Sequence, residues 1–274
     1  MLVMPKFHYI ESGSANAPDT LLLFHGFTGT HQTWLPFLES WSEKHHVIAV
    51  DMPGHGQTAI QDDLTMDRFT DDVAEFLDQH GVAHVKLCGY SMGGRAALAF
   101  ACRYPDRISE LLLESASPGL QTEEERLARQ MQDERLASRL MTDGLVQFID
   151  FWENIPLFDT QKNLPKFIQQ IIREERLSQQ ATGLAISLRT MGTGKQDSYW
   201  DKLPYLDKPV ILVAGSMDHK FVGINQEMEK RLPATELHIV AAAGHCVHVE
   251  QPRIFDKIVR RYLLHIEADI LEES

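Results

Sequence analysis

The chain has 274 residues, 43% hydrophobic and 24% charged, enough for one large α/β domain carrying an insertion. Against 39 acidic residues it sets 26 basic ones, a net charge of −13 that argues against a general nucleic-acid or anionic-membrane surface. A local arginine cluster inside a pocket can still serve an anionic small molecule. Cys88, Cys102 and Cys246 form neither a disulfide framework nor a C-x-x-C metal pair, and they suit a reducing cytoplasm. Cys102, in a run of small residues, is expected to pack in the core. Met1–Lys6 lacks the charged head and apolar core of a signal peptide, and no apolar run reaches the length of a membrane span. The acidic tail from Glu267 to Ser274 reads as a solvated helix end.

In chain order, Leu21–Phe24 reads as a buried strand ending in the loop His25-Gly26-Phe27-Thr28-Gly29. Trp34, Phe37, Leu38 and Trp41 recur at helical spacing and predict a helix from about Gln32 to Ser42. His46–Val50 is the next strand and stops at the turn-rich Asp51-Met52-Pro53-Gly54-His55-Gly56. Met66–Gln79 is an amphipathic helix, Val85–Cys88 a strand, Gly94–Ala101 a small-residue helix and Ile108–Leu113 a strand. From Gln121 to Trp200 no strand pattern is visible. The stretch reads as helices over Thr122–Met141, Thr142–Glu153, Leu164–Arg173 and Leu177–Met191. Strands resume at Val210–Ala214 and Leu237–Val240, and a helix over Pro252–Leu264 closes the chain.

This alternation predicts a mostly parallel central sheet with helices on both faces, functional loops lying at the strand carboxyl ends. Residues 1–120 and 205–274 form the sheet domain, and 121–204 a helical lid inserted over that edge. A separate helical domain is the alternative, but the return of strand pattern after the helices favours the lid.

Gly89-Tyr90-Ser91-Met92-Gly93 lies between a strand and a helix, the context of a nucleophile elbow, where Ser91 stands exposed on a strained turn among residues that must be small. Alone, the pentapeptide is also an ordinary strand-to-helix turn. A serine hydroxyl needs an imidazole to take its proton, and the imidazole a carboxylate to fix its tautomer. Asp218 follows the penultimate strand and His245 the last one, in the order serine, acid, histidine expected of an elbow. His245 is chosen among 13 histidines for its place; His248, its neighbour, is expected to pack or face solvent. A metal site from His25, His245 and His248 lacks H-E-x-x-H spacing, so no metal is expected. The backbone N–H groups of Phe27 and Met92 are the expected oxyanion donors. Arg95 stands one helical turn past Ser91, as a second feature of the site or as a surface arginine.

The chain resembles, over nearly its whole length, the 2-succinyl-6-hydroxy-2,4-cyclohexadiene-1-carboxylate synthases of menaquinone biosynthesis, members of the α/β-hydrolase-fold superfamily. Tyr90 with Arg95, Ser117-Pro118-Gly119-Leu120 through Arg126, and Trp152 through Phe158 carry the resemblance. The His25, Asp51 and Ala243-Gly244-His245 stretches are common to many hydrolase-fold enzymes. Thr58 departs from the serine usual there, and the match around Arg173 and Arg176 is loose, with Arg176 favoured. The resemblance implies a carbon–oxygen lyase that eliminates pyruvate from a multi-carboxylate cyclohexene, Ser91 acting as base, with no cofactor. It implies carboxylate binding by Arg95, Arg126 and Arg176, and an apolar wall from Tyr90 and Trp152. The same triad would serve an esterase or thioesterase, and the fold also supports a binding protein without turnover. The expected partner is the small substrate alone, without nucleic acid or membrane span, in the cytoplasm. Nothing in the sequence sets an oligomeric state, and a monomer fits it.

Overall fold

The computed structural model describes residues 6–262. Met1–Pro5, the last two residues of the helix expected over Pro252–Leu264 and the Glu267–Ser274 tail lie outside the described residues. The strands β1 (Tyr9–Ser12), β2 (Thr20–Phe24), β3 (His46–Val50), β4 (Val85–Tyr90), β5 (Ile108–Glu114), β6 (Val210–Gly215) and β7 (Thr235–Val240) form one sheet in the order β1-β3-β2-β4-β5-β6-β7. β1 runs antiparallel to β3, and every other pair is parallel.

The central strands are mostly apolar because both faces are covered, as parallel sheets require, with Lys86 and Glu114 as buried exceptions. Leu22, Phe24, Leu87, Leu111 and Leu113 point to one side, with Phe69 and Phe76 of α2 (Met66–Gln79) and the alanines of α3 (Met92–Arg103). Leu21, Leu23, Cys88, Leu112 and Val213 point to the other. There they meet Trp41 of α1 (Leu35–Trp41) and Phe255 of α9 (Pro252–Tyr262). Cys102 is half-buried, at the edge of the first cluster rather than inside it.

Between β5 and β6 the chain forms α4 (Glu123–Trp152), α5 (Lys166–Leu177) and α6 (Ala181–Met191), with a 3₁₀ stretch at Pro156–Asn163. A capping box opens α4: Thr122 accepts from Glu125 N and Glu125 reaches back to Thr122 N. The helix breaks at Gly144, whose φ of 81° an L side chain rarely adopts, two residues beyond the predicted boundary. α5 starts at Lys166 rather than Leu164, because the residue before Pro165 is held extended. Leu140, Phe148, Ile149, Leu184 and Leu188 give these helices a core of their own. The two ends of the segment meet: Tyr199 N donates to Pro118 O (2.8 Å) and Trp200 Nε1 to Gly119 O (3.0 Å).

One strand and two α-helices carry no expectation from sequence: β1, α7 (His219–Glu229) and α8 (Val247–Glu250). The helix expected at Gln32 begins as a 3₁₀ turn at His31–Trp34, and α1 starts at Leu35, since Pro36 is tolerated only in the first turn. No helix among the described residues is long and apolar enough to cross a membrane.

Candidate active site

Ser91 is the single residue between β4 and α3, with φ 51° and ψ −107°. Such a backbone costs a non-glycine residue about 1–3 kcal/mol and persists only where its surroundings impose it. Here Ser91 N donates to Glu114 O (2.8 Å), and Arg95 N donates to Ser91 O (2.9 Å). The flanking glycines leave no room for a side chain. A Cβ on Gly89 would lie 2.5 Å from Gly93 O, and one on Gly93 2.4 Å from Phe24 O.

The Ser91 hydroxyl donates to His245 Nε2 (2.9 Å), and His245 Nδ1–H donates to Asp218 Oδ2 (2.7 Å). Asp218 is also the N-cap of α7, its other oxygen accepting from Phe221 N (3.3 Å), so both carboxylate oxygens are engaged. The Phe221 ring packs 4.7 Å from the imidazole, which is almost fully buried. Aspartate thus selects the tautomer in which Nε2 can take the serine proton.

His25 is fully buried. Its Nδ1–H donates to Gly26 O (2.7 Å) and its Nε2 accepts from Met52 N (2.9 Å), tying the loop after β2 to the loop after β3. Burial lowers its pKa to about 4, and His55, 5.2 Å away, is lowered to about 3 by burial and by His25. Both are neutral in the fold and would protonate near 6.5 once unfolded. The unfolded chain therefore binds more protons between pH 6.5 and 4. Stability from each histidine is full above 6.5 and falls by about 1.4 kcal/mol per pH unit on the way down. In His55→Asn, whose amide can keep the bond to Pro53 O, the loss of stability from pH 7 to pH 5 in urea unfolding is expected to be smaller than in wild type by about 2 kcal/mol, the part of the interval below 6.5. A loss equal to wild type would mean that His55 is protonated in the fold.

Beside Ser91 lies a cavity of about 360 Å³, lined by Phe27, Ser91, Arg95, Arg129, Trp152 and His245 among others. The Arg95 guanidinium is buried and, among the described residues, donates to neutral groups, Gln196 Oε1 and Met191 O (3.0 Å). Burial and the nearby Arg129 lower its pKa to about 10, so it remains a cation at neutral pH. Arg129 is held by Asp133 through Nε (2.8 Å). Trp152 stacks on Phe148 at 5.7 Å, and its indole N–H is buried with no acceptor among the described residues. Tyr90 lends the cavity its ring. Its hydroxyl is turned to Cys246 Sγ (2.6 Å), and burial pushes that hydroxyl's pKa well up.

The structure does not bring two of the expected arginines into this cavity. Arg126 shares the α4 stripe with Arg129 but stands a turn nearer the helix start, where its Nη1 reaches Leu120 O (3.5 Å). Arg176 is buried in a second cavity of about 240 Å³ behind Tyr90 and Phe158. It lies 4.7 Å over the Phe158 ring and donates to Gln161 Oε1 (3.1 Å). Arg173 pairs outside with Asp150 and Glu153. Arg129 and Lys220, which do line the first cavity, carry no site expectation from the sequence. For Arg129 the signal was present in the i,i+4 spacing to Asp133.

His248, expected to pack or face solvent, is buried against Glu114. Among the described residues, His8, His31 and Asp51 are grouped as metal ligands would be. The Asp51 carboxylate already accepts from His31 N (2.8 Å), His31 Nδ1 (2.8 Å), His8 Nδ1 (2.8 Å) and Gln57 N (3.0 Å). Burial alone would raise its pKa, but these donors hold it well below the usual carboxylate range. The trio is a mutually satisfied brace.

Residues 19–252 match the family described as alpha/beta hydrolase fold. The chain is 46% identical over 254 residues to a Bacillus subtilis (strain 168) protein provisionally named 2-succinyl-6-hydroxy-2,4-cyclohexadiene-1-carboxylate synthase, covering 92% of each. It is 28% identical to the synthase of that name from Serratia proteamaculans (strain 568), covering 93% of this chain and 97% of the relative. The solved structure of MenH from S. aureus superposes with a TM-score of 0.90 at 34% identity, over 96% of this chain and 99% of that one. A thermophilic esterase from Thermogutta terrifontis superposes at 0.80 with 27% identity, over 96% and 94%.

Proposed function

The chain belongs to the alpha/beta hydrolase fold family and, within it, to the 2-succinyl-6-hydroxy-2,4-cyclohexadiene-1-carboxylate synthases, and from that membership we infer its reaction. It is a lyase of menaquinone biosynthesis. It eliminates pyruvate from 2-succinyl-5-enolpyruvyl-6-hydroxy-3-cyclohexene-1-carboxylate to give the cyclohexadiene product.

The observation that carries this reading to the site is the pair of guanidiniums, Arg95 and Arg129, in the wall beside Ser91. The substrate bears several carboxylates, and guanidinium forks bind carboxylates bidentately. Within the reading, His245 draws the proton from Ser91 Oγ while Asp218 holds the resulting imidazolium. Ser91 then removes the carbon-bound proton beside the succinyl carbonyl. Charge develops on that carbonyl oxygen, which accepts hydrogen bonds from the Phe27 and Met92 amides. Local structure supports both. Met92 is the first residue of α3, where an N–H has no intrahelical acceptor, and Gly93 packs against the backbone of Phe24 and His25, next to Phe27. The electron pair moves through the ring and expels enolpyruvate, which becomes pyruvate on taking a proton at carbon. No acyl-enzyme forms. Trp152 closes the apolar wall, and its free indole N–H is available to a substrate oxygen. Residues 121–204 act as the lid that excludes water, and Arg176 receives a carboxylate only from the second cavity.

The test is pyruvate release from the enolpyruvyl precursor through a lactate dehydrogenase couple, against a no-enzyme control because the precursor also decays unaided. Enzyme-dependent release is expected; release at the control rate, with Ser91 still open to a fluorophosphonate, would make the protein an esterase or thioesterase instead. In the same assay Arg129→Gln is expected to lower kcat/KM by about 10- to 100-fold, the worth of one charge-assisted pair. Arg126→Gln is expected to stay within about threefold of wild type on the same scale. The reverse order would put Arg126 in contact with substrate.

A further inference from the structure

Glu114 is fully buried at the end of β5, and nothing in the reaction above uses it. Its position in the sheet is central to the site. It pairs with Tyr90 on β4, the residue before Ser91, and with Val213 on β6, the strand that leads to Asp218. Its carbonyl accepts from Ser91 N (2.8 Å). Its carboxylate is given wholly to one partner. His248 N donates to Oε1 (3.0 Å), and the His248 ring Nδ1 lies 2.9 Å from Oε1 and 2.8 Å from Oε2.

His248 belongs to α8, the single helical turn that follows His245. The last residue of that turn, Glu250, holds the loop on both sides of His245. Its carboxylate accepts from Gly244 N (2.8 Å) and from Cys246 N (3.4 Å). A continuous path of hydrogen bonds therefore runs from Ser91 N through Glu114, His248, α8 and Glu250 to the two neighbours of His245. The rings confirm how tightly the turn is set: His248 lies 4.6 Å from Tyr90 and 5.4 Å from Trp34.

We propose that Glu114 and His248 are positioning residues: beside the Tyr90–Cys246 contact, they form a bridge that fixes the His245 loop against the serine elbow, and so sets the Ser91–His245 hydrogen bond. Neither touches the reacting atoms. Glu114 fixes Ser91 through its backbone and His245 through its side chain, so one residue sets both ends of the distance. Glutamine at position 114 keeps an oxygen for His248 N but sets an NH₂ where Oε2 faces His248 Nδ1 at 2.8 Å, which frees α8 to shift. A misplacement of about 1 Å between acid–base partners costs about 100-fold in rate.

In Glu114→Gln, kcat for pyruvate release is expected to fall about 10- to 100-fold with KM within about twofold, since the cavity arginines are untouched. The rate of fluorophosphonate labelling of Ser91 is expected to fall in step. His248→Phe keeps the ring packing and loses only the Nδ1 bond. It is expected to lower kcat about 5- to 10-fold, and to add little to the defect of Glu114→Gln in the double variant. If Glu114→Gln does not fold, His248→Phe carries the test alone. A rise in KM at wild-type kcat, an unchanged labelling rate, or wild-type kcat in His248→Phe would each overturn the proposal. The inference rests on Ser91 and His245 acting together, not on the substrate. Labelling that responds as stated in a protein that releases no pyruvate would sink the reaction and leave the positioning intact.

Discussion

Replacing Ser91 with alanine is expected to reduce pyruvate release by about 1,000-fold or more, some 4 kcal/mol of barrier, without loss of fold. In the reading above Oγ is the only group that meets the carbon-bound proton. His245 Nε2 stands 2.9 Å behind it, in line to accept its proton rather than the substrate's. What survives the substitution is the binding contributed by Arg95 and Arg129 and whatever the Phe27 and Met92 amides supply, so KM is expected to move little. Alanine retains a Cβ, so the strain at φ 51° remains. Ser91→Gly makes the sharper comparison. It removes the same base and also relieves the backbone, worth about 1–3 kcal/mol less the entropy glycine adds to the unfolded chain. It should therefore be as inactive as Ser91→Ala yet melt a few degrees higher than wild type, at about 2–4 °C per kcal/mol. Single-turnover kinetics beside a thermal melt reads both. Alanine at 91 with a rate within tenfold of wild type would place the base elsewhere.

The second large effect concerns stability. In Gly93→Ala a Cβ would lie 2.4 Å from Phe24 O and 2.5 Å from His25 O. Both are backbone atoms at the end of a central strand. Phe24 is paired with Val50 on one side and Gly89 on the other, so it cannot retreat without breaking register with β3 or β4. The remaining escape is for the first turn of α3 to lift away from the sheet, taking Met92 with it. A loss of at least about 3 kcal/mol is expected, a drop of roughly 6–12 °C in melting temperature. Activity should fall further than the fraction of folded protein accounts for, because the Met92 and Phe27 segments part. A wild-type melting temperature would show that α3 and β2 can separate at no cost.

Much of this arrangement is legible in the chain, for physical reasons. β2, β3 and β4 are buried on both faces, so they read as apolar runs, broken in β4 only by the buried Lys86. Ser91 and Asp218 each follow such a run and His245 follows the half-exposed edge strand β7, which places all three at one edge of the sheet. β1 reads poorly because Tyr9–Ser12 is a short, half-exposed edge with no apolar run. α7 is silent because it buries little beyond Asn225 and Met228, and its start is marked only by Asp218, a residue already assigned to another task. Arg126 and Arg129 cannot be told apart by periodicity, since both lie on the stripe that continues to Asp133. The depth at which each ends depends on where α4 meets the loop at Leu120. The same holds for Arg176, whose cavity is created by Tyr90 and Phe158, two side chains remote from it in sequence. Glu114 and His248 are adjacent only once the sheet is assembled.

The chain enters and leaves the helical segment at one stitched point, where Tyr199 N meets Pro118 O and Trp200 Nε1 meets Gly119 O. With its own apolar core, the segment is a cassette rather than a stretch of the open sheet beneath it. Exchanging it for another of any length leaves the ends of β5 and β6 where they were, and with them the elbow and its histidine. A lineage could then keep one proton-transfer device and try successive roofs over it, changing what the device is allowed to touch while the sheet is inherited unaltered.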